Sequence, residues 1–462
     1  MNSTEADVTR EPSSFRDNRG FVFWRGGLPF RQIADAGVAD YRLLMSSGLY
    51  AELTSRGLLL KHEEVEDADG GLVIKPTVVP FVSYPYEWSF SQLQDAALLT
   101  LEIQKTAMRL GLTLRDASSY NIQFIDGRPV LIDTLSFGAL NADEPWAAYR
   151  QFCQHFLAPL ALMATRGFEL QQLLRSYIDG VPLSLAARLL PTHAKWRPGL
   201  ASHIVLHAGF QKKHESTAER PATRVGATQR EAVLDSLERT TSGLRAPGNS
   251  TEWGDYYNHT NYADAAFEAK KQLVGEALAR TGAKVVADLG ANDGPFSRVA
   301  AAAGARVLSC DIDPVAVEKN YRRVRAEKET AVLPLLLDLT NPSGDLGWAN
   351  SERASFTKRA AAQTDAVLAL ALIHHLAISN NLPFEHIAKY FSELAPWLVI
   401  EFVPKTDSQV KILLATREDI FPLYNEGGLE AAFCHYYDII DRLPVTGSER
   451  TLYLMKRREV VL

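Results

Sequence analysis

The chain has 462 residues, 46% apolar and 23% charged, with a formal net charge of -6. That length exceeds one ordinary hydrophobic core, so two or three domains are expected. The mild negative charge offers no global attraction to nucleic acid, and three cysteines, Cys153, Cys310 and Cys434, lack metal-like spacing and are too few for a disulfide framework.

The cysteines read as buried small hydrophobes in a reducing compartment. The opening residues are polar and lack the apolar core of a secretory signal. No run approaches the roughly 18 apolar residues of a membrane span. The expectation is a cytoplasmic protein without a membrane segment.

In chain order, residues 1–19 read as a mobile polar arm. Short apolar segments follow at Gly20–Trp24, Leu58–Leu60 and Leu72–Ile74, separated by turn-rich stretches such as Arg25–Pro29 and Asp67–Gly71. Ser91–Leu110 has helical periodicity and ends at Gly111, a suitable cap. Asn121–Ile125 and Pro129–Ile132 read as two strands joined by Asp126-Gly127, a strong hairpin signal. Residues 145–210 are mostly helical in pattern. The polar, proline- and glycine-punctuated stretch 211–250 reads as a linker or an exposed helical excursion. An α+β domain over 20–210 and a second domain over 251–462 result.

Within the second domain, elements alternate: helix Ala263–Arg280, strand Lys284–Leu289, helix 296–303, strand 306–310, helix Pro314–Ala326 and strand Ala331–Leu337. A polar insertion, Asn341–Gln363, precedes strand Ala366–Ala371, helix Phe384–Leu394, strand Trp397–Phe402 and a last strand pair near His435–Asp441 and Arg450–Met455. Such alternation implies an α/β, Rossmann-like domain whose mostly parallel sheet is covered on both faces.

The richest local signal is Asp288-Leu-Gly-Ala-Asn-Asp-Gly294, a strand end followed by a small glycine turn. Gly290 and Gly294 permit close approach of backbone to ligand. The spacing lacks the second closely placed glycine of a pyrophosphate cradle, and Asp293 would repel a phosphate. Asp288 suits a positively charged amino-acid group. Asp311, ending the next strand, is placed to accept hydrogen bonds from ribose hydroxyls. These residues favour a phosphate-free nucleoside over a dinucleotide.

This pattern resembles the class I S-adenosylmethionine-dependent methyltransferases. Asp288–Gly294 is similar to their first motif, Cys310-Asp-Ile-Asp-Pro314 to the second, Leu337-Asp-Leu339 to the third and Asp365–Leu376 to the fourth. The resemblance implies S-adenosylmethionine as cofactor. It places Asp311 on the ribose, Ile312 against the adenine and Asp338 toward the adenine amino group. It further implies contributions from Asn292, Phe296, Leu339 and Ala369. Trp253 and Tyr257, in the aromatic run Trp253–Tyr262, would form a lid. The wider arrangement is similar to a bacterial family of methyltransferase-like proteins that includes nodulation-associated proteins of the NoeA type.

His374 and His375 follow the fourth strand at its expected carboxyl end, where an imidazole could serve as general base on the acceptor. Adjacent residues diverge in a strand and no third ligand is evident, so no metal site is assigned there. The acceptor is a small molecule or a protein side chain. Nucleic acid is disfavoured, because no basic, aromatic-interleaved stripe stands out. Composition leaves the oligomeric state open.

In the first domain, Asp116 and Asn121 stand five residues apart, and Asp133 ends the hairpin. This resembles the kinase-like fold, which implies a base at Asp116 and metal ligands at Asn121 and Asp133, with ATP and magnesium as ligands. Leu114 replaces the usual His, Thr134-Leu135 replaces Phe-Gly, and no glycine-rich phosphate loop precedes them. Lys61 and Lys75 sit in no pairing motif. The domain is therefore expected to be kinase-like in fold, and either phosphotransferring or recruiting the acceptor.

Overall fold

The computed structural model describes residues 8–66, 71–209, 225–248, 264–415 and 418–459. The chain divides into two compact units, Met1–Gly248 with Asp345–Arg353, and Asn249–Gly344 with Ala354–Leu462.

The first unit opens with five antiparallel strands: β1 (Val8–Arg10), β2 (Gly20–Arg25), β3 (Leu28–Ile33), β4 (His62–Glu66) and β5 (Leu72–Pro76). Their spatial order is β1-β2-β3-β5-β4, with helices Asp35–Ser46 and Leu49–Ser55 between β3 and β4. This is the order of a kinase small lobe. β1 lies inside the stretch expected to be a mobile arm: pairing of Val8 with Arg25 ties it to the sheet.

Helix Phe90–Arg109 follows, one residue from the expected bounds at each end. Ser89 caps it. Its Oγ accepts from Gln92 N at 3.3 Å, while Gln92 Oε1 accepts from Ser89 N at 2.8 Å. Short strands β6 (Leu112–Leu114), β7 (Ile122–Ile125), β8 (Arg128–Leu131) and β9 (Phe137–Ala139) then pair as β6 with β9 and β7 with β8. Asp126 and Gly127 both take positive φ, 51° and 74°, as a tight two-residue hairpin requires.

Within 211–250, expected as a linker or an exposed helical excursion, residues 227–243 form a helix of this unit. Ala227–Gly243 packs along Phe90–Arg109, with Lys105 Nζ 2.6 Å from Asp235 Oδ1 and Gln94 Nε2 donating to Thr241 O at 2.8 Å. The reason is its stripe of Leu234, Leu237 and Thr241, all buried. Residues 345–353, inside the expected polar insertion of the second domain, also belong to this unit. Glu352 pairs with Arg16, and the Arg353 guanidinium stands 4.3 Å from the Tyr120 ring centre.

The second unit is built on seven strands: β10 (Val285–Leu289), β11 (Arg306–Asp311), β12 (Val332–Leu336), β13 (Ala366–Ala369), β14 (Trp397–Phe402), β15 (Tyr437–Pro444) and β16 (Thr451–Arg457). They lie in the order β12-β11-β10-β13-β14-β16-β15. The first five are parallel, and β16 inserts antiparallel between β14 and β15. That order, with one reversed strand, is the class I methyltransferase sheet.

Because β10, β13 and β14 are covered on both faces, nearly every residue in them is buried. Val286, Val307, Leu368, Val399 and Leu454 form part of the core. The parallel run brings the carboxyl ends of β10 to β14 to one edge of the sheet, and the site is at that edge.

Candidate active site

Two connections shape the edge. After β10 the chain turns through Gly290, at φ 78°, whose added Cβ would come within 3.2 Å of Leu372. Gly294, at φ 82°, is the residue before helix Pro295–Ala302, and a Cβ there would lie 2.7 Å from Arg298 Nη1 and Asn320 Nδ2. Both positions take left-handed backbone that strains a residue with a Cβ, and the neighbouring side chains would also have to give way to one. After β11, Asp313 Oδ1 accepts from Val315 N at 2.8 Å and starts helix Pro314–Glu327.

Asp311 joins the two connections. Its Oδ2 accepts from Asn292 N at 2.7 Å and its Oδ1 from Asp313 N at 2.8 Å. The cap of the following helix is Asp313, which leaves Asp311 to these two turns. Burial pushes the Asp311 carboxyl up to about 6, against these backbone donors. Asp288 is buried deeper, and burial lifts it to about 7. Ser297 Oγ, 2.6 Å from Asp288 Oδ2 and 2.7 Å from Ser309 Oγ, opposes that rise.

These residues open into a cavity of about 400 Å³. Asp288, Gly290, Asn292, Phe296, Asp311, Ile312, Asp338, Leu339 and His375 all line it. Gly294 and Ala369 are not among its lining residues: Gly294 shapes the turn, and Ala369 is buried in β13 just before the lining residues Leu370–Leu372. Trp253 and Tyr257 lie outside the described residues.

The two histidines separate. His375 lines the cavity, whereas His374 is fully buried with both ring nitrogens lacking a hydrogen-bond partner. The rings lie 4.1 Å apart between centres. Burial first, then the charge of Arg450, lowers His375 to about 4; burial holds His374 well below its usual range. Both are neutral imidazoles at physiological pH.

Lys270, Glu401 and Arg450 escaped the sequence reading. Lys270 Nζ is 2.7 Å from Glu401 Oε2, and Arg450 Nη1 is 3.8 Å from the same oxygen. Lys270 and Arg450 line the cavity. The available signal was a charge at an inward position of an apolar strand, Glu401 in Trp397–Phe402, which needs a buried partner.

The cavity fits a phosphate-free adenosyl cofactor. Ile312 is 58% exposed at its wall, an uncovered apolar surface beside Leu337 and Leu339 suited to a base.

A search of family models found none that matches. Nodulation protein NoeA of Rhizobium meliloti (strain 1021) is 34% identical over 465 residues, covering 97% of this chain and 96% of that protein. The chain belongs to the NoeA family.

Among solved structures, this NoeA-family chain is similar to the bifunctional kinase-methyltransferase WbdD, at 15% identity and TM-score 0.29 over 45% of this chain and 43% of that one. It is also similar to magnesium protoporphyrin IX methyltransferase from Synechocystis PCC 6803, at 17% identity and TM-score 0.32 over 46% and 96% of the two chains. The N-methyltransferase NodS from Bradyrhizobium japonicum WM9 matches at 10% identity and TM-score 0.32 over 46% and 94%. By strand order, the NoeA-family chain carries a domain of the class I methyltransferase fold and an N-terminal domain of the kinase-like fold.

In the kinase-like unit, Asp116, Asn121 and Asp133 do converge. Asn121 and Asp133 both act on the Asp116 carboxyl, which burial raises. Sequence reading missed Arg31 on β3, whose guanidinium pairs with Asp133. Burial would lift Asp133, but Arg31 and the hydrogen bonds from Ser136 and Leu135 outweigh it and hold it below the usual carboxylate range. The loop from β1 to β2, residues 11–19, contains no glycine. A magnesium nucleotide fits poorly, because the carboxylate that would hold metal already holds a guanidinium.

Proposed function

We propose that this chain transfers the methyl group of S-adenosylmethionine to a small-molecule acceptor. The observation that carries the reading is the placement of Asp288, Asp311 and His375 around one cavity at the carboxyl edge of the sheet. When bound, the cofactor supplies an electrophilic methyl group on a sulfonium. The protein's part is to hold donor and acceptor in line and to exclude water.

Asp311 would fix the ribose while keeping the Gly290–Asn292 turn in place through Asn292 N. Asp288 would meet the ammonium. Ile312 and Leu339 would cover the base. His375 is the candidate group at the acceptor: its imidazole can accept a hydrogen bond from a hydroxyl or amine, although its lowered proton affinity makes it a weak base. That supports an acceptor whose nucleophilic form needs little help from a base. A protein side chain is the competing acceptor class.

Isothermal titration of the full chain with S-adenosylmethionine and S-adenosylhomocysteine tests the cofactor. No heat with either ligand on folded protein rejects the reading. Incubating cell extracts with enzyme and methyl-labelled S-adenosylmethionine, then following label into metabolites and into protein, separates the two acceptor classes. We also propose a cytoplasmic setting, on the support of the buried Cys153, which forms no disulfide; cell fractionation checks it.

A second reading, ATP- and magnesium-dependent phosphotransfer by the first unit, is favoured by the convergence of Asp116, Asn121 and Asp133 and opposed by Arg31. Magnesium-dependent ATP binding that disappears in Asp133→Ala would support it.

A further inference from the structure

The cavity wall carries two buried cations, which the reading above leaves without a role. Lys270 comes from helix Asp264–Thr281, and Arg450 from the turn between β15 and β16. Each side chain is 4% exposed. Glu401 stands behind both, fully buried, and also accepts from Ala371 N at 2.7 Å. Ala371 takes φ 49°, a costly conformation for a residue with a Cβ, and that conformation is held by this bond. Arg450 Nε is further fixed by Asp407 Oδ2 at 2.8 Å.

We propose that Lys270 and Arg450 form a receptor for a ligand carboxylate in the cavity wall, with Glu401 as the positioning residue that aims them. The proposal rests on the cofactor reading above and adds to it the group these two side chains recognise.

The arrangement differs from a merely structural ion cluster in its order. The cations line the cavity; Glu401 and Asp407 do not. A cluster that only bridged helix, strand and turn would have no need to set both cation-bearing residues, and neither acid, in the cavity lining. Elsewhere the wall is acidic, at Asp288, Asp311 and Asp338. Lys270 and Asp288 feel each other's charge, and Lys270 Nζ lies 4.7 Å from the Phe296 ring centre. A cation and an acid on one cavity wall match the two charges of an amino-acid head group. Arg450 instead acts on His375, at the acceptor end. A carboxylate can therefore come from the cofactor's amino-acid portion or from an acidic acceptor.

The test measures full-chain affinity for S-adenosylhomocysteine and for its decarboxylated analogue, in wild type and in Lys270→Met, Arg450→Met and Glu401→Gln. For the cofactor source, wild type prefers the carboxylated ligand by about tenfold or more, the size of a charge-assisted hydrogen bond. The methionine variants then bring the ratio toward one, with the analogue's affinity kept within about twofold. For the acceptor source, the wild-type ratio is near one. Benzoate then binds the S-adenosylhomocysteine complex, and Lys270→Met or Arg450→Met abolishes that binding. Preserved binding of the decarboxylated analogue shows that a variant remains folded. A wild-type preference, or benzoate binding, that survives both methionine variants overturns the receptor, as does the absence of both. If no adenosyl ligand binds at all, the cofactor reading fails instead, and benzoate binding to the protein alone decides the receptor.

Discussion

Ser297 Oγ lies 2.6 Å from Asp288 Oδ2, linking the first turn of a helix to the end of the strand before it. The same hydroxyl is 2.7 Å from Ser309 Oγ, which accepts from Asn320 Nδ2 at 2.8 Å. A buried acid is thus braced by a polar chain reaching a third element. Ser297→Ala removes a hydrogen bond to this acid and leaves its oxygen short of a donor. A loss of about 1–3 kcal/mol in stability is expected, read by urea unfolding, together with a further rise of the Asp288 pKa.

Cofactor affinity should depend on that proton. Asp288 is lifted to about 7, so in the free protein it is largely protonated below that pH. An ammonium ligand requires the ionised form. Affinity for S-adenosylhomocysteine should therefore rise as pH increases from 5.5 through 7 and level off above it. Binding should release close to one proton at the acidic end. Titration in buffers of different ionisation heat measures the release. Asp288→Asn should bind more weakly and show a flatter pH profile.

Asp311→Ala should cut affinity by tenfold or more, because a ligand acceptor and the tether of the Gly290–Asn292 turn go together. The Asp338 carboxylate accepts from Thr340 N and Oγ1 at 2.8 and 2.6 Å, contacts within its own loop. Asp338→Ala should cost less. Calorimetry on both variants checks the order.

His374→Phe removes a neutral ring with two unpartnered nitrogens. Burial lowers the folded pKa of His374 below its ordinary 6.5, so the unfolded chain binds the proton better. Wild type therefore loses stability as pH falls below 6.5, and the variant escapes that part of the loss. Relative to pH 7.5, the variant should gain about 1.4 kcal/mol over wild type at pH 5.5. Denaturant curves at the two pH values measure it. Replacing the cavity-lining His375 by Gln should instead act on turnover.

Asp133→Ala takes from the Arg31 guanidinium its closer acid and leaves it only Asp17 Oδ2, at 3.4 Å, in a largely buried setting. The first unit should lose about 3 kcal/mol of stability, seen as an earlier unfolding step. Affinity for S-adenosylhomocysteine, measured below that step, should stay unchanged.

The alternating strands of the second unit were legible because each is a short apolar run, bounded by turn residues, with glycines where the backbone turns left-handed. β14 was placed at Trp397–Phe402, the bounds the structure shows. Asp288, Gly290 and Asp311 were legible for the same reason: strand ends of a parallel sheet share one edge, so local order predicts neighbourhood. Local pattern misled where pairing is distant. Polar residues 8–10 became a strand only because β2 offers hydrogen bonds. The charged stretch at 227–243 is helical, one of its two readings, but it is packed on Phe90–Arg109 rather than exposed all round.

By itself, then, the amino-acid order determined a glycine turn between two acid-ended strands that meet at one edge of the sheet. Periodicity and turn chemistry are local, and they needed no partner to be read. Tertiary structure alone decided which of two adjacent histidines meets the cavity. It alone turned Arg31 onto Asp133, and gathered Lys270, Glu401 and Arg450 from a helix, a strand and a turn. Charges buried that far from water must find opposite charges, and only the folded chain brings such distant residues within reach.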